Sequence, residues 1–233
     1  MDLKYSIALF VAAAMVLSVT GAAAGLSQAN GKDIERVDFI HYYKAKGGGN
    51  SAKAASCYKL MGVKWGALPV SYVINPTNSQ GLSVDFITAT MSTSAETWDA
   101  ATSKELFNNA FTTNNSVNYG VKDGVNAIAF GNYPQSGVIA VTSIWMDKRT
   151  KQIVEFDMLY DTDFSWGDAT IDPLKMDLEN IATHELGHAV GLSDLYTQSC
   201  SAVTMYGYSN NGDIAKRTLE QPDVTGLAAM YGA

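Results

Sequence analysis

The segment THELGHAVGLSDLY, residues 183–196, holds two of the chain's three histidines, His184 and His188, four positions apart, with Glu185 beside the first. On an α-helix, residues i and i+4 project from one face, so the two imidazoles can address a single metal ion. Glu185 lies one position further round, too far to be the easiest third ligand, but it can reach a water at such an ion and act as a general base. The remaining histidine, His41, is far upstream, so a third ligand has to come from the chain beyond the helix. Gly191 permits a positive φ and a sharp reversal, and three residues later Asp194 offers a short carboxylate. A His, His, Asp set suits zinc, since two histidines with one carboxylate form a known catalytic ligand class. The plain alternatives are a surface helix that carries these letters without an ion, and Asp194 as a capping or surface residue.

Elements that must position these groups are legible in the hydrophobic spacing. Asp172 and Pro173 read as the cap and first turn of the site helix, with Leu174, Leu178, Ile181, Glu185 and His188 along one stripe that ends at Gly191. Upstream, Ser83 reads as an N-cap, and Val84, Ile87, Met91, Ala95 and Trp98 recur at three- and four-residue steps, which predicts a long helix. The stretch ALPVSYVIN alternates Val70, Tyr72 and Ile74 as a half-buried strand does. NAIAFGNY, GVIAVTSIWM and QIVEFDMLYD predict three more strands, the last two joined by a turn at DKRT. A final helix near Pro222 carries Val224, Leu227 and Tyr231 on one side. The expected class is α+β.

With 233 residues, 47% hydrophobic and 17% charged, the chain is long enough for one sizeable core. A net charge of -7 without a basic run excludes a phosphate-tracking surface, so no nucleic-acid partner is expected. Residues 1–24 read as an export signal, with Lys4, an apolar run from Ile7 to Val19, and Ala22 and Ala24 before the cut. Retention of this segment would anchor the chain instead; otherwise a secreted, monomeric protein with no stable membrane association is expected. Residues 25–56, polar and small around three consecutive glycines, read as a linker or short pro-segment, and residues 57–233 as the catalytic domain. Cys57 and Cys200 are an even pair, which outside the cytosol favours a disulfide.

HELGHAVGLSD resembles the H-E-x-x-H-x-x-G-x-x-H zinc motif of metzincin metallopeptidases, with aspartate in the last place as in the snapalysin branch. KWGALPVSYVIN, GVIAVTSIW and LEQPDVTGLAAMYG are similar to the first strand, the cleft-bordering edge strand and the closing helix of a matrixin catalytic domain. The resemblance implies a twisted mixed sheet with a long N-terminal helix, an active-site helix and a C-terminal helix. It also implies a secreted zinc endopeptidase that binds protein or peptide substrates extended along the edge strand near Val138 to Ile144. Met205, in SAVTMYGYS, then falls in the methionine turn beneath the metal, where its sulfur packs rather than ligates. Tyr206 and Tyr208 do not stand two residues after it and receive no catalytic role. No PRCGxP latch surrounds Cys57; with Cys200 it would tie the start of the domain to the loop between Asp194 and Met205. Calcium is a second candidate ion at Asp161, Asp163, Asp168 and Asp172, against the plainer reading of a solvated acidic loop. The competing functional class is a non-catalytic scaffold that binds extended peptides, which would have no use for Glu185. Removal of Asp194 should drain the metal; removal of Asp213 or Asp223 should not.

Overall fold

The structure is a computed structural model that describes residues 33–43 and 56–233; the expected export signal, and most of the segment read as linker or pro-segment, lie outside these residues. The strands are β1 (Ile34–Tyr43), β2 (Lys64–Trp65), β3 (Val73–Ile74), β4 (Thr112–Thr113), β5 (Ala127–Gly131), β6 (Val138–Asp147), β7 (Gln152–Asp161), β8 (Trp166–Gly167), β9 (Met176–Asp177) and β10 (Tyr208–Ser209). The helices are α1 (Val84–Asp99), α2 (Leu178–Ala189) and α3 (Gln221–Tyr231). Eight strands form one sheet in the order β10-β1-β6-β7-β5-β3-β4, with β2 also on β7, while β8 and β9 pair separately. β3, β5 and β7 run parallel, and β6 is antiparallel to β7, so the sheet is mixed and the class is α+β as expected.

Three helices and the sheet enclose one core. Ser83 caps α1 by accepting the Phe86 N–H at 3.2 Å, and Ile87, Met91, Ala95 and Trp98 are buried on one stripe. The Trp98 indole donates to the Thr183 carbonyl at 2.7 Å, which locks α1 onto α2. Behind them Ile128, Ile139, Ile144, Phe156 and Tyr160 of the sheet complete the cluster. The turn at DKRT closes on Asp147, whose carboxylate accepts the Arg149 and Thr150 N–H groups. Among the described residues no helix is long and apolar enough to cross a membrane.

Two expectations are corrected. α2 starts at Leu178, not at Asp172: Asp172 accepts the Leu174 N–H in a local turn, Leu174 is exposed, and Met176 pairs with Ser165 before Asp177 caps the helix through the Asn180 N–H at 2.8 Å. Within ALPVSYVIN, Val70, Tyr72 and Ile74 are buried in alternation, but the regular strand is only Val73–Ile74. A third difference bears on the site. Residues 34–43, within the segment read as linker or pro-segment, form β1, which lies antiparallel along β6 and parallel to β10. β6, expected to present a free edge, is therefore paired on both sides.

Candidate metal centre

On α2, His184 and His188 face the same point, with ring centroids 4.8 Å apart. The Nδ1 of His184 bonds the Thr204 carbonyl at 2.7 Å and that of His188 the Leu192 carbonyl at 2.8 Å. A carbonyl can only accept, so both rings carry a proton on Nδ1 and turn an Nε2 lone pair inward. Gly191, at φ +111°, reverses the chain after the helix, and a Cβ there would stand 2.6 Å from the Val63 carbonyl oxygen. The reversal brings Asp194 Oδ1 to 3.1 Å from His184 Nε2 and 3.4 Å from His188 Nε2. These three atoms are buried and have no hydrogen-bond partner among the described residues. Three acceptors aimed at one point repel each other unless a cation lies between them, so the donor set fits zinc in its nature and number. Burial would raise the Asp194 carboxyl, but the facing His188 and His184 imidazoles outweigh it and hold the group well below the usual carboxylate range.

Glu185 sits beside this point with its two oxygens in different surroundings. Oε2 accepts the Thr142 hydroxyl of β6 at 2.5 Å, while Oε1 has no hydrogen-bond partner among the described residues and lies 3.4 Å from His41 Nδ1. Burial pushes the carboxyl up to about 7, a range suited to taking and returning a proton. Met205 lies under the helix between the turns that carry His184 and His188. A Cβ on Gly187 would be 2.3 Å from its sulfur and 2.6 Å from the Trp98 ring. Its backbone is fixed from below, because buried Asp223 accepts the N–H groups of Thr204, Met205 and Glu220. Cys57 and Cys200 form a disulfide that joins the start of the main segment to the loop between Asp194 and Met205.

Several contributors were not legible in the sequence. Thr142 looked like one more residue of a buried strand. Tyr196 reaches Asp194 Oδ2 at 3.1 Å and the Ile40 carbonyl at 3.0 Å through its hydroxyl. Asp223, expected to be neutral toward the metal, holds the turn whose Thr204 carbonyl orients His184; Asp213 has no such role, pairing locally with Asn210. Lys216 is buried beside the site, donating to the Tyr206 and Tyr208 carbonyls and the Ser209 hydroxyl, and burial lowers it to about 7. His41 and Phe39 of β1 also belong to the neighbourhood: the His41 ring packs on His184 at 4.0 Å, and Phe39 stacks on His188 at 4.3 Å. RVDFIHYY, rich in aromatic and branched residues, was the available signal.

The acidic residues proposed for calcium do not converge. Asp168 turns to Thr170 and Arg217, Asp172 to the Leu174 N–H, and Asp161 to the Asp163 N–H. Among the described residues, the clusters with metal-ligand spacing are His184, His188 and Asp194, and the adjoining His41, His184 and Glu185.

Residues 64–232 match the matrixin family. A 76-residue stretch, 33% of this chain, is 34% identical to stromelysin-1 of Rattus norvegicus, of whose length it spans 15%. The family uses zinc and consists of metalloendopeptidases. With its matched region covering the sheet from β2 onward, all three helices and the histidine cluster, the chain belongs to the matrixin family.

Proposed function

We propose that the chain is a secreted zinc endopeptidase that hydrolyses extended polypeptides, with His184, His188 and Asp194 holding the metal and Glu185 as general base. The observation that carries this reading is the convergence of three buried acceptors that lack hydrogen-bond partners among the described residues, beside the Glu185 carboxylate, whose Oε1 lacks one as well. Zinc at that point supplies a Lewis acid for the scissile carbonyl and makes water more acidic. Thr142 holds Glu185 Oε2, so Oε1 is the atom that takes the proton from the attacking water and passes it to the leaving amine. The carbonyls of Thr204 and Leu192 fix both imidazole tautomers, which keeps the Nε2 lone pairs available for the ion. Met205 and Trp98 brace the helix from beneath, and Tyr196 orients the outer oxygen of Asp194. Secretion rests on the leader-like residues 1–24 and on the disulfide.

A peptide-library digest tests the reading, run on the intact chain and on the chain nicked within residues 44–55, with and without chelator. The Glu185→Ala variant should keep one zinc and lose hydrolysis in both forms. Hydrolysis by that variant at the original rate would remove Glu185 from the chemistry, and zinc-loaded nicked chain that binds peptides without cutting them would favour the scaffold reading.

A further inference from the structure

Lys216 is a buried amine that the proposed chemistry leaves without a task. Burying an amine is unfavourable, and a fold that keeps one surrounds it with acceptors. The backbone N–H of Lys216 donates to the Asn180 side chain of α2 at 2.8 Å, and the neighbouring Arg217 guanidinium grips Asp177, the residue that caps the same helix. The side chain then runs toward β10, where Nζ donates to the Tyr206 carbonyl, to the Tyr208 carbonyl at 2.9 Å and to the Ser209 hydroxyl at 2.9 Å. A fourth neighbour is His41 Nε2, 3.0 Å from Nζ and 3.1 Å from Ser209 Oγ. On the other side of that ring, Nδ1 is 3.4 Å from Glu185 Oε1. The His41 ring thus marks a compartment with the general base at one end and Lys216 and Ser209 at the other.

A charged amine carries three protons, and the two carbonyls take two of them. The third goes either to His41 Nε2 directly or to Ser209, whose own hydroxyl proton then turns to Nε2. By either route one donor is aimed at the tip of the side chain that fills the compartment. An imidazole meets it with a lone pair. An aliphatic side chain would leave that donor buried without an acceptor, and a second ammonium would meet like charge. Beyond Lys216 lies a cavity of about 260 Å³, lined also by Asn180, Tyr208 and Asp213. The amine therefore has space, and an acidic neighbour, toward which to withdraw when a longer side chain enters.

We infer that Lys216, together with Ser209, selects the substrate residue next to the cut: the compartment takes a side chain that ends in a hydrogen-bond acceptor, glutamate or glutamine, in preference to an aliphatic or cationic one. The position follows from Glu185. In the proposed function its Oε1 hands the proton to the leaving amine, so the compartment beside Oε1 receives the side chain of the residue that contributes this amine, the first residue of the C-terminal product. Glutamate and glutamine place their terminal oxygens as many bonds from the backbone as histidine places Nε2, whereas aspartate and asparagine fall one bond short. A site built to hydrogen-bond a group rejects analogues that lack it far more strongly than an apolar pocket does. The inference rests on the endopeptidase reading for the cut; the preference of the compartment itself does not.

Two measurements test it. The first is the peptide-library digest, on whichever of the intact and nicked forms cuts, with the residue after the cut varied among glutamate, glutamine, leucine and lysine. Glutamate and glutamine should exceed leucine and lysine at least tenfold in kcat/KM, and Lys216→Met should abolish the difference. The second needs no catalysis and uses the full zinc-loaded chain, with His41 as the occupant. His41→Gln should unfold at a temperature about 2–4 °C above His41→Leu, and the order should reverse in the Lys216→Met background. Should Lys216→Met fail to fold, the digest of the wild type and the comparison of the two His41 variants decide alone. If no form cuts but His41→Gln remains the more stable variant, the compartment stands and the endopeptidase reading fails. Cleavage before leucine or lysine as fast as before glutamate and glutamine overturns the inference, as does His41→Leu unfolding at or above the temperature of His41→Gln with Lys216 in place.

Discussion

Gly187→Ala isolates the packing beneath the metal centre. The added methyl would lie 2.3 Å from the Met205 sulfur, 2.6 Å from the Trp98 ring and 3.1 Å from the Met205 terminal methyl. Ordinary contact needs about 3.5–4 Å, so sulfur and ring must each retreat by roughly 1 Å or the helix must lift. Neither retreat is easy, because Trp98 is fully buried and tied to Thr183, and Met205 is 1% exposed. Overpacking of this kind costs about 1–3 kcal/mol. Alanine recovers about 1 kcal/mol of that as a better helix former than glycine. Because sulfur and ring are both held in place, the upper part of that range, about 2–3 kcal/mol, applies, and the net expectation is a loss of about 1–2 kcal/mol, or about 2–8 °C in Tm at this chain length. Thermal unfolding of the metal-free protein measures this directly, and a zinc titration should show weaker binding because the displaced helix carries both imidazoles. A Tm equal to or above that of the wild type would mean that helix propensity alone is at work. Met205 and Trp98 would then not be packed against the helix as described.

Asp223→Ala should destabilise by about 2–4 kcal/mol, since it strands the buried Thr204 and Met205 N–H groups, and should weaken zinc binding through the Thr204 carbonyl; unchanged zinc affinity would separate that turn from the site. Replacing Cys57 and Cys200 together by serine removes a link across 143 residues and should lower stability by about 2–4 kcal/mol in urea unfolding, whereas an unchanged midpoint would deny the bond a role. Asp99 gives a pH-dependent case: burial raises its carboxyl to about 6, against the opposing Leu106 and Phe107 N–H groups. Between about 4 and 6 the folded state therefore binds more protons than the unfolded one, and this contribution to stability grows as pH falls through 6. Asp99→Asn keeps the acceptor and removes the titration, so the metal-free variant should gain less in urea midpoint than the wild type between pH 7.5 and 5; equal gains would contradict the assignment.

The convergence of His184, His188 and Asp194 was readable because chemistry and periodicity coincide there: two histidines at helical spacing, a glycine where the chain must reverse, and a carboxylate within reach. α1 was equally plain, since its buried stripe follows the helical period and Ser83 caps it. The start of α2 was not, because Asp172-Pro173 and Asp177 are both acceptable starts, and only the pairing of Met176 with Ser165 separates them. β1 was hidden for a different reason. Its residues are half-exposed, so Val37, Phe39 and Ile40 give no clean alternation, and the glycine-rich neighbouring sequence pulls a local reading toward a linker. Its place depends on β6 and β10, about a hundred and more residues away, and no local pattern encodes such pairing. Thr142, Tyr196 and Asp223 share that limitation, since each acts on the site through a contact made only by the folded chain.

The coordination sphere is open to a direct measurement. Zinc content per chain should be determined after exhaustive dialysis for the wild type, Asp213→Asn and Asp194→Ala, with circular dichroism to confirm that each is folded. The first two should retain one equivalent and the last should lose it. A full equivalent of zinc in folded Asp194→Ala, or none in the wild type, would contradict the ligand set on which the enzyme reading depends.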